Sequence, residues 1–477
     1  MKSGLRIVLG AKGESLYMKN EIKILAIETS CDETAAAVIV GSRKLETRSS
    51  GEDGNPHLLP LGKGENQPVI LSNVISSQAD LHAKTGGVVP EVASRAHVEA
   101  IVPVVVEALL SAKQKEKPKP RPQSKKKNQN QDPKAKSFDS NFFDPLLVLE
   151  TGTLGFSSSR EAIRYLREEI THIAVTAGPG LIGALLIGFN AAKTLAYALN
   201  KPIIPINHVE GHIYSALSAE NFSIINFQPA CGTGRFPNNS QIPNTKFPIL
   251  IFTASGGHTL LVLMHDHGKY EILGQTIDDA IGEAYDKVAR LLGLGYPGGP
   301  AVSKLADGFR KTQSQDPKAK INPKTQKQQT THYSLPTPIV FPRPIINDGT
   351  YNFSFSGLKT SVLNKVKVLE QTGELEQKKM EVCAAFEEAV ADVISTKIAR
   401  AAIEFEPKAI AFAGGVAAND YLREKIQEKT GQTILIPAKG LTGDNAAMIG
   451  LAAFYHVKRG ISQKWNEISV DSNLQLA

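Results

Sequence analysis

Short apolar runs alternate along the chain with longer amphipathic stretches, the pattern of a mixed α/β protein. Ile22–Ile27 is apolar, Glu28–Thr34 is polar, and Ala35–Val40 is apolar again, which predicts strand, turn, strand. The same design returns about 225 residues later, where Ile249–Phe252 leads through Thr253-Ala254-Ser255-Gly256-Gly257-His258 into Leu260–Met264. Two copies predict a duplicated two-lobe architecture with ligands held by the two turns in the cleft between lobes. Two unrelated hairpins is the plainer alternative. Two strand–glycine–helix units accompany them: His172–Thr176 with Gly178-Pro179-Gly180, and Ala409–Ala413 with Gly414-Gly415 and a helix from about Ala418. Glycines there let backbone amides approach an anion at a helix start, or serve packing alone. Neither unit matches GxGxxG or GxxxxGK[ST].

Four segments interrupt the pattern: Gly41–Gln67, Lys113–Arg160, Ser218–Lys246 and Lys311–Pro338. Rich in Lys, Gln, Asn, Pro and Ser, they bury little apolar area and read as mobile surface insertions. Gln-Asp-Pro-Lys-Ala-Lys occurs at 131–136 and again at 315–320, as inserted repetitive sequence would; basic RNA-binding tails are the alternative. The implied division is an extension over 1–17, an N-terminal lobe over 18–217, an insertion over 218–246, a C-terminal lobe over 247–458 and a tail over 459–477.

Charge changes the picture less than its total suggests. The net +7 is exceeded by two insertions alone, Lys113–Lys136 at +8 and Arg310–Lys327 at +5, so the remaining chain is acidic. Cys31, Cys231 and Cys383 lack CxxC spacing, which argues against a disulfide framework or a cysteine zinc site and suits a reducing cytoplasm. Ile7–Leu9 is too short for a signal h-region, and Met18, just before the first strand, is an alternative start. Gly180–Leu199, interrupted by Asn190 and Lys193, reads as a buried helix with no membrane partner.

The sharpest chemical signal is His208-Val209-Glu210-Gly211-His212. On a helix, i and i+4 share a face, so both imidazoles reach one metal ion. A pair of partly exposed polar residues at a helix start is the other reading. Glu210 points to another side and is badly placed as the base of a zinc protease. Asp444, in Thr442-Gly443-Asp444-Asn445, either caps the following helix or supplies a third ligand. Two histidines and a carboxylate suit zinc or iron acting as a Lewis acid. Ser255-Gly256-Gly257 reads as a phosphate cradle or as a plain strand-joining turn. Asp279, Glu283 and Asp286, at i, i+4 and i+7 beside Asp278, give one acidic helix face, which either binds a ribose, base or cation or is simply solvated. Tyr296-Pro297-Gly298-Gly299-Pro300 predicts a rigid turn.

Together these segments resemble the tRNA adenosine threonylcarbamoyltransferase family, once misnamed the O-sialoglycoprotein endopeptidases. The motifs that carry the likeness are ILAIETSCDET (24–34), PEVASRAH (90–97), AVTAGPGLIGAL (174–185), NHVEGH (207–212) and SGGHT (255–259). IDDAIGEAYDKVARLLGLGYPGGP (277–300), FSFSGLKT (353–360), AGGVAAN (413–419) and TGDNAAMI (442–449) complete the set, in versions like those of the bacterial and organellar branch. The resemblance implies an actin/hexokinase-type α/β fold carrying four low-complexity insertions. It implies metal ligands at His208, His212 and Asp444, with one divalent ion, iron or zinc, per subunit. Adenylate-binding positions fall on Thr253, Ala254, Ser255, Gly256, Gly257, Asp286, Gly299 and Asn419.

The implied reaction moves a threonylcarbamoyl group from threonylcarbamoyl-AMP to the exocyclic amine of the adenosine beside the anticodon in tRNAs reading ANN codons. Asp32, Glu33 and His97 are the candidates for general base. Implied partners are tRNA, a pseudo-enzyme homologue and a small ATPase. The competing classes are an ATP-dependent small-molecule kinase on the same fold, a metalloprotease, which the HVEGH spacing disfavours, and a non-catalytic scaffold.

Overall fold

The computed structural model describes residues 21–42, 68–116, 154–218, 247–315 and 339–476. The expected extension over 1–17 and most of each expected insertion lie outside these residues. Three insertion boundaries shift where they are described: one helix continues through Glu116, the next begins at Leu154, and a third reaches Gln315. Composition misled there because charge on an amphipathic helix looks like a polar linker. Ala162, Tyr165 and Leu166 are buried while Lys113 pairs with Glu161.

The first half builds β1 (Glu21–Glu28), β2 (Glu33–Ser42) and β3 (Val69–Ser77), then α1 (Ala79–Ala83), α2 (Pro90–Glu116) and α3 (Leu154–Glu168). β4 (His172–Gly178), α4 (Ile182–Leu199), β5 (Ile203–Asn207) and α5 (His208–Leu217) follow. The second half builds β6 (Ile249–Ala254), β7 (Thr259–Asp266) and β8 (Lys269–Gln275), then α6 (Ile281–Leu291), α7 (Gly298–Gln315), α8 (Ser356–Gln371) and α9 (Leu375–Phe405). β9 (Ala409–Ala413), α10 (Asp420–Thr430), β10 (Ile434–Leu435) and α11 (Ala446–Lys458) complete it.

The two five-stranded sheets share one topology. The orders are β3-β2-β1-β4-β5 and β8-β7-β6-β9-β10, each with two antiparallel pairs followed by two parallel pairs. Both predicted strand–turn–strand units are antiparallel pairs, Ile24 facing Ile39 and Ile251 facing Val262. β1 and β6, central in their sheets, are buried on both faces, which is why they read as apolar runs, interrupted in β1 only by Lys23, which pairs with Glu116 and Glu169.

Helices α5 and α11 lie between the sheets and share a core with Ile24, Ile39, Ile251 and Val262. Gly211 explains itself here. A Cβ on it would lie 2.9 Å from Ile449 Cδ1 and 3.1 Å from Met448 Cγ, so glycine lets α5 and α11 cross closely. The outer face of the first sheet is covered by α2, α3 and α4, and that of the second by α6 through α10. Among the described helices, α4 alone is long and apolar enough to cross a membrane; one face of it (Ala184, Leu185, Gly188, Phe189, Ala192, Ala196) is buried in the fold.

Residues 459–476 run back along the first sheet. Gln463 pairs with Ile203, Asp471 N–H donates to Ala177 O (2.9 Å), and Gly180 N–H donates to Ser472 O (3.2 Å). Asn207 Nδ2 donates to Leu474 O (3.2 Å).

Candidate active site

A cleft of about 650 Å³ opens between the two sheet halves. Its walls come from the β1–β2 turn, the β4–α4 turn, the β6–β7 turn, the α6–α7 region, the β9–α10 turn and the loop before α11. These are the ends of central strands, where a chain leaving a sheet exposes backbone groups that the next helix has not yet taken up.

The starts of α5 and α11 carry the titratable core. Asn207 caps α5, its Oδ1 accepting from the amides of Val209 and Glu210, and this places His208 and His212 on one helix face. Asn445, not Asp444, caps α11, its Oδ1 accepting from Met448 N–H at 3.0 Å. Capping is therefore the asparagine's role, and Asp444 turns towards the imidazoles. Asp444 Oδ1 lies 3.4 Å from His208 Nε2 and 3.2 Å from His212 Nε2. One ligand atom from each of the three residues falls within a 4.8 Å span.

His208 and His212 are buried rather than partly exposed, and their rings meet edge to face at 4.7 Å. His208 Nδ1 is held by Glu28 Oε2 (3.2 Å) and Ser30 Oγ (3.0 Å), which leaves Nε2 for the shared centre. Glu28 is fully buried and also accepts from Thr176 Oγ1. Burial alone would lower the His208 pKa, but the charges of Asp444 and Glu28 override it and hold the imidazole well above its usual value. Burial would likewise raise Asp444, and the two histidines keep it well below the carboxylate range. The site thus favours positive charge. His212 Nδ1 is buried without a hydrogen-bond partner among the described residues, and Nε2 meets Asp444 Oδ1 alone, outside good hydrogen-bond geometry. An orphaned imidazole aimed at a carboxylate and a second imidazole fits a metal ligand set. Glu210 does point elsewhere, accepting from Tyr270 Oη (2.8 Å) and contacting His456 Nε2.

The Ser255-Gly256-Gly257 turn forms the opposing wall. A Cβ on Gly256 or Gly257 would meet nothing within 4 Å, so both backbones face open space. Ser255 O accepts from Gly282 N–H at 3.2 Å, which seats the turn on the first turn of α6. That helix end carries partial positive charge and favours an anion. Ser255, Gly256, Gly257, Asp286, Gly299 and Asn419 line the cleft, whereas Thr253 and Ala254 are wholly buried behind the turn. Asn419 is the cap of α10, after a short 3-10 turn at Gly415–Ala418, and not a residue of its first turn.

The expected acidic face divides. α6 begins only at Ile281, so Asp278 and Asp279 precede it. Asp278 accepts from the amides of Phe355 and Ser356 at the start of α8, and Asp279 pairs with Lys287 and Lys359. Glu283 pairs with Lys287, and only Asp286 enters the cleft, where Gly298 N–H donates to it at 2.7 Å.

Of the candidate bases, Asp32 and Glu33 line the cleft and His97 does not. His97 is fully buried, bonded to Thr34 Oγ1 (2.7 Å) and Cys31 O (3.1 Å), and it fixes the β1–β2 turn from behind. Burial, with the charges of Asp444 and Asp32, pushes Glu33 up to about 9. Sequence reasoning missed Glu28 as the partner of His208, although it opens the ETSCDET turn. It also missed His258 on the cleft wall, where burial and the neighbouring histidines push its pKa down to about 4.

Comparison with known proteins gives this geometry a lineage. The sequence model of the family described as tRNA N6-adenosine threonylcarbamoyltransferase matches residues 69–118, 161–226 and 235–451. A protein of that name from Staphylococcus haemolyticus is 37% identical over 462 residues, covering 96% of this chain and 98% of the relative. The Bacillus subtilis protein of the same name is 36% identical over 447 residues, covering 93% of each. Among solved structures, component A of (R)-2-hydroxyglutaryl-CoA dehydratase from Acidaminococcus fermentans matches 92% of this chain and 98% of its own. Its TM-score is 0.40 at 12% identity, too distant to bear on function. On the family model and the near-complete alignments, the chain belongs to the tRNA N6-adenosine threonylcarbamoyltransferase family.

Proposed function

We propose that the cleft moves a threonylcarbamoyl group from threonylcarbamoyl-AMP to the exocyclic amine of the adenosine beside the anticodon in tRNAs reading ANN codons. The enzyme is a transferase by family, and the names of its relatives favour this over a small-molecule kinase. The observation that carries the reading is one cleft lined by His208 and Asp444, with His212 buried within reach of Asp444 behind them, and by the open Ser255–Gly257 turn. The shared strand order of the two sheets, with α5 and α11 between them, supports a duplicated two-lobe actin/hexokinase-type arrangement.

His208, His212 and Asp444 would hold one divalent ion, iron or zinc, whose chemistry is Lewis-acid polarisation of a carbamoyl or phosphate oxygen. The rest is the work of the chain. Amides of the Ser255–Gly257 turn, at the positive end of α6, steady the phosphate of the departing AMP. The adenosine amine attacks the carbamoyl carbon, the carbon–oxygen bond to phosphate breaks, and AMP leaves with the electron pair. The amine proton passes to Asp32, which reaches the cleft from the β1–β2 turn, while its neighbour Glu33, pushed up to about 9, already holds its own proton near neutral pH. The reducing setting suggested by the scattered cysteines supports a cytoplasmic site of action. A pseudo-enzyme homologue and a small ATPase are the proposed companions.

Nucleoside mass spectrometry tests the reading in cells depleted of their own transferase and supplied with this chain or its His208→Ala variant. Restoration of threonylcarbamoyladenosine by the native chain alone is expected. Equal restoration by both removes the metal role. Restoration by neither, with soluble protein and the companions added, removes the transferase reading.

A further inference from the structure

Behind the cleft wall lies a carboxylate that the reaction above does not use. Glu387, in the middle of α9, is fully buried, and four side chains from three other elements converge on it. Its Oε1 accepts from Asn419 Nδ2 (2.6 Å), Ser303 Oγ (2.7 Å) and Tyr285 Oη (3.3 Å). Its Oε2 accepts from Arg310 Nη1 (2.7 Å), whose guanidinium lies 3.4 Å over the Tyr421 ring. Tyr285, Ser303 and Asn419 line the cleft.

Following the protons shows what this wall can offer a ligand. A carboxylate only accepts, so the hydroxyl hydrogens of Ser303 and Tyr285 are spent on Glu387. Asn419 Nδ2 spends one hydrogen there and the other on Ser303 Oγ (3.0 Å) or Tyr285 Oη (3.4 Å). The amide cannot be flipped, because Asn419 Oδ1 accepts from Leu422 N–H at 2.9 Å as the cap of α10. What remains on all three groups is lone pairs. The wall is a cluster of acceptors without a free hydrogen.

The geometry points to Glu387 as a positioning residue that sets ligand specificity. By taking the hydrogens of Ser303, Tyr285 and Asn419, it makes this wall read hydrogen-bond donors on the bound nucleotide, either the ribose hydroxyls or the base amine. The inference rests on the adenylate reading of the cleft given above. Glu387→Gln tests it because the amide replaces one acceptor by a donor. Arg310 holds the amide oxygen, so the new N–H group faces Ser303 and Tyr285, turns their hydrogens towards the ligand, and pushes away Asn419 Nδ2, whose hydrogen is freed from the carboxylate.

The experiment is calorimetric titration of the full chain with AMP, 2′-deoxy-AMP and inosine monophosphate, with thermal melts alongside. The native chain is expected to bind one of the two analogues about tenfold more weakly than AMP, because losing a donor strands a desolvated acceptor. Which analogue fails identifies the donor read. In Glu387→Gln that ratio falls to within about twofold, by the same reasoning, while the melt stays cooperative. Should Glu387→Gln not fold, Ser303→Ala, which removes one acceptor, is expected to lower the ratio severalfold. Native affinities that are equal for all three nucleotides overturn the inference and leave the adenylate reading standing. So does a Glu387→Gln or Ser303→Ala chain that binds more weakly with an unchanged ratio, the mark of a structural role alone. Absence of any AMP binding by the native chain removes the adenylate reading and the inference with it.

Discussion

The β1–β2 turn and the β6–β7 turn occupy equivalent places in sheets of the same strand order, yet their chemistry is opposite. The first is dense with side chains: Glu28 and Ser30 grip His208, Asp32 and Glu33 face the cleft, and His97 braces the backbone from behind. The second offers almost no side chain at its tip, and the backbones of Gly256 and Gly257 stand open. Two strand–turn–strand units at matching places present side chains to the cleft on one side and bare backbone on the other, the division that the proposed cation and phosphate sites draw on. A repeated scaffold fixes where chemistry happens, and the turn residues decide its sign.

The largest break in this comparison comes from the ligand set. Asp444→Ala or His212→Ala is expected to abolish stoichiometric metal content and lower transfer by about a thousandfold or more, since a Lewis acid supplies several kcal/mol. Metal analysis of the purified variants, paired with a transfer assay, checks it. Glu28→Gln, one layer out, weakens metal affinity by about 10- to 100-fold if the first turn organises the cation through His208.

A pair of glycine substitutions comes next. Gly178, at φ +143°, would press a Cβ into the backbone of Asp471, so Gly178→Ala is expected to destabilise the fold by at least about 2 kcal/mol in a denaturant titration. Gly256→Val, facing open space, should leave that titration within about 0.5 kcal/mol and instead weaken AMP binding about tenfold by filling the cradle. The reverse pattern would mean that the glycine turn serves the fold and not a ligand.

Acid separates the halves further. His267, buried against Tyr455 at a ring distance of 4.1 Å in the second half, is pushed by burial down to about 3. The unfolded chain takes up its proton at ordinary imidazole pH and the folded chain does not. Its contribution is therefore complete above about pH 6.5 and is lost as pH falls from there towards 3, at up to about 1.4 kcal/mol per unit. In His267→Asn, stability measured across pH 7 to 4 should show a shallower acid slope. The smallest effect is at Asn445, where alanine costs about 1 kcal/mol of cap energy in the same titration and lowers metal affinity by letting Asp444 drift.

Much of this was legible in the chain. Ile22–Ile27 and Ile249–Phe252 announced the two central strands because burial on both faces leaves a nearly continuous apolar run. His208 and His212 announced a shared helix face because the i, i+4 relation is local. What stayed hidden was long-range. Nothing around Asp278 or Asp279 says that one will cap α8 and the other pair with Lys359, about 80 residues away. Nothing around Asp444 says that its neighbour Asn445 will take the cap. His97 looked like a base because a histidine in a motif reads as chemistry, and its burial is decided by how α2 packs on β2.

The strap formed by residues 463–474 has a consequence in time. Asp471, Ser472 and Leu474 hold Ala177, Gly180 and Asn207, which border the cleft and the start of α5. As the chain leaves the ribosome, His208 and His212 emerge more than 200 residues before the segment that secures the wall beside them. A chain truncated before 471 would carry every proposed ligand and still lack the bonds that fix the β4–α4 turn and the cap of α5.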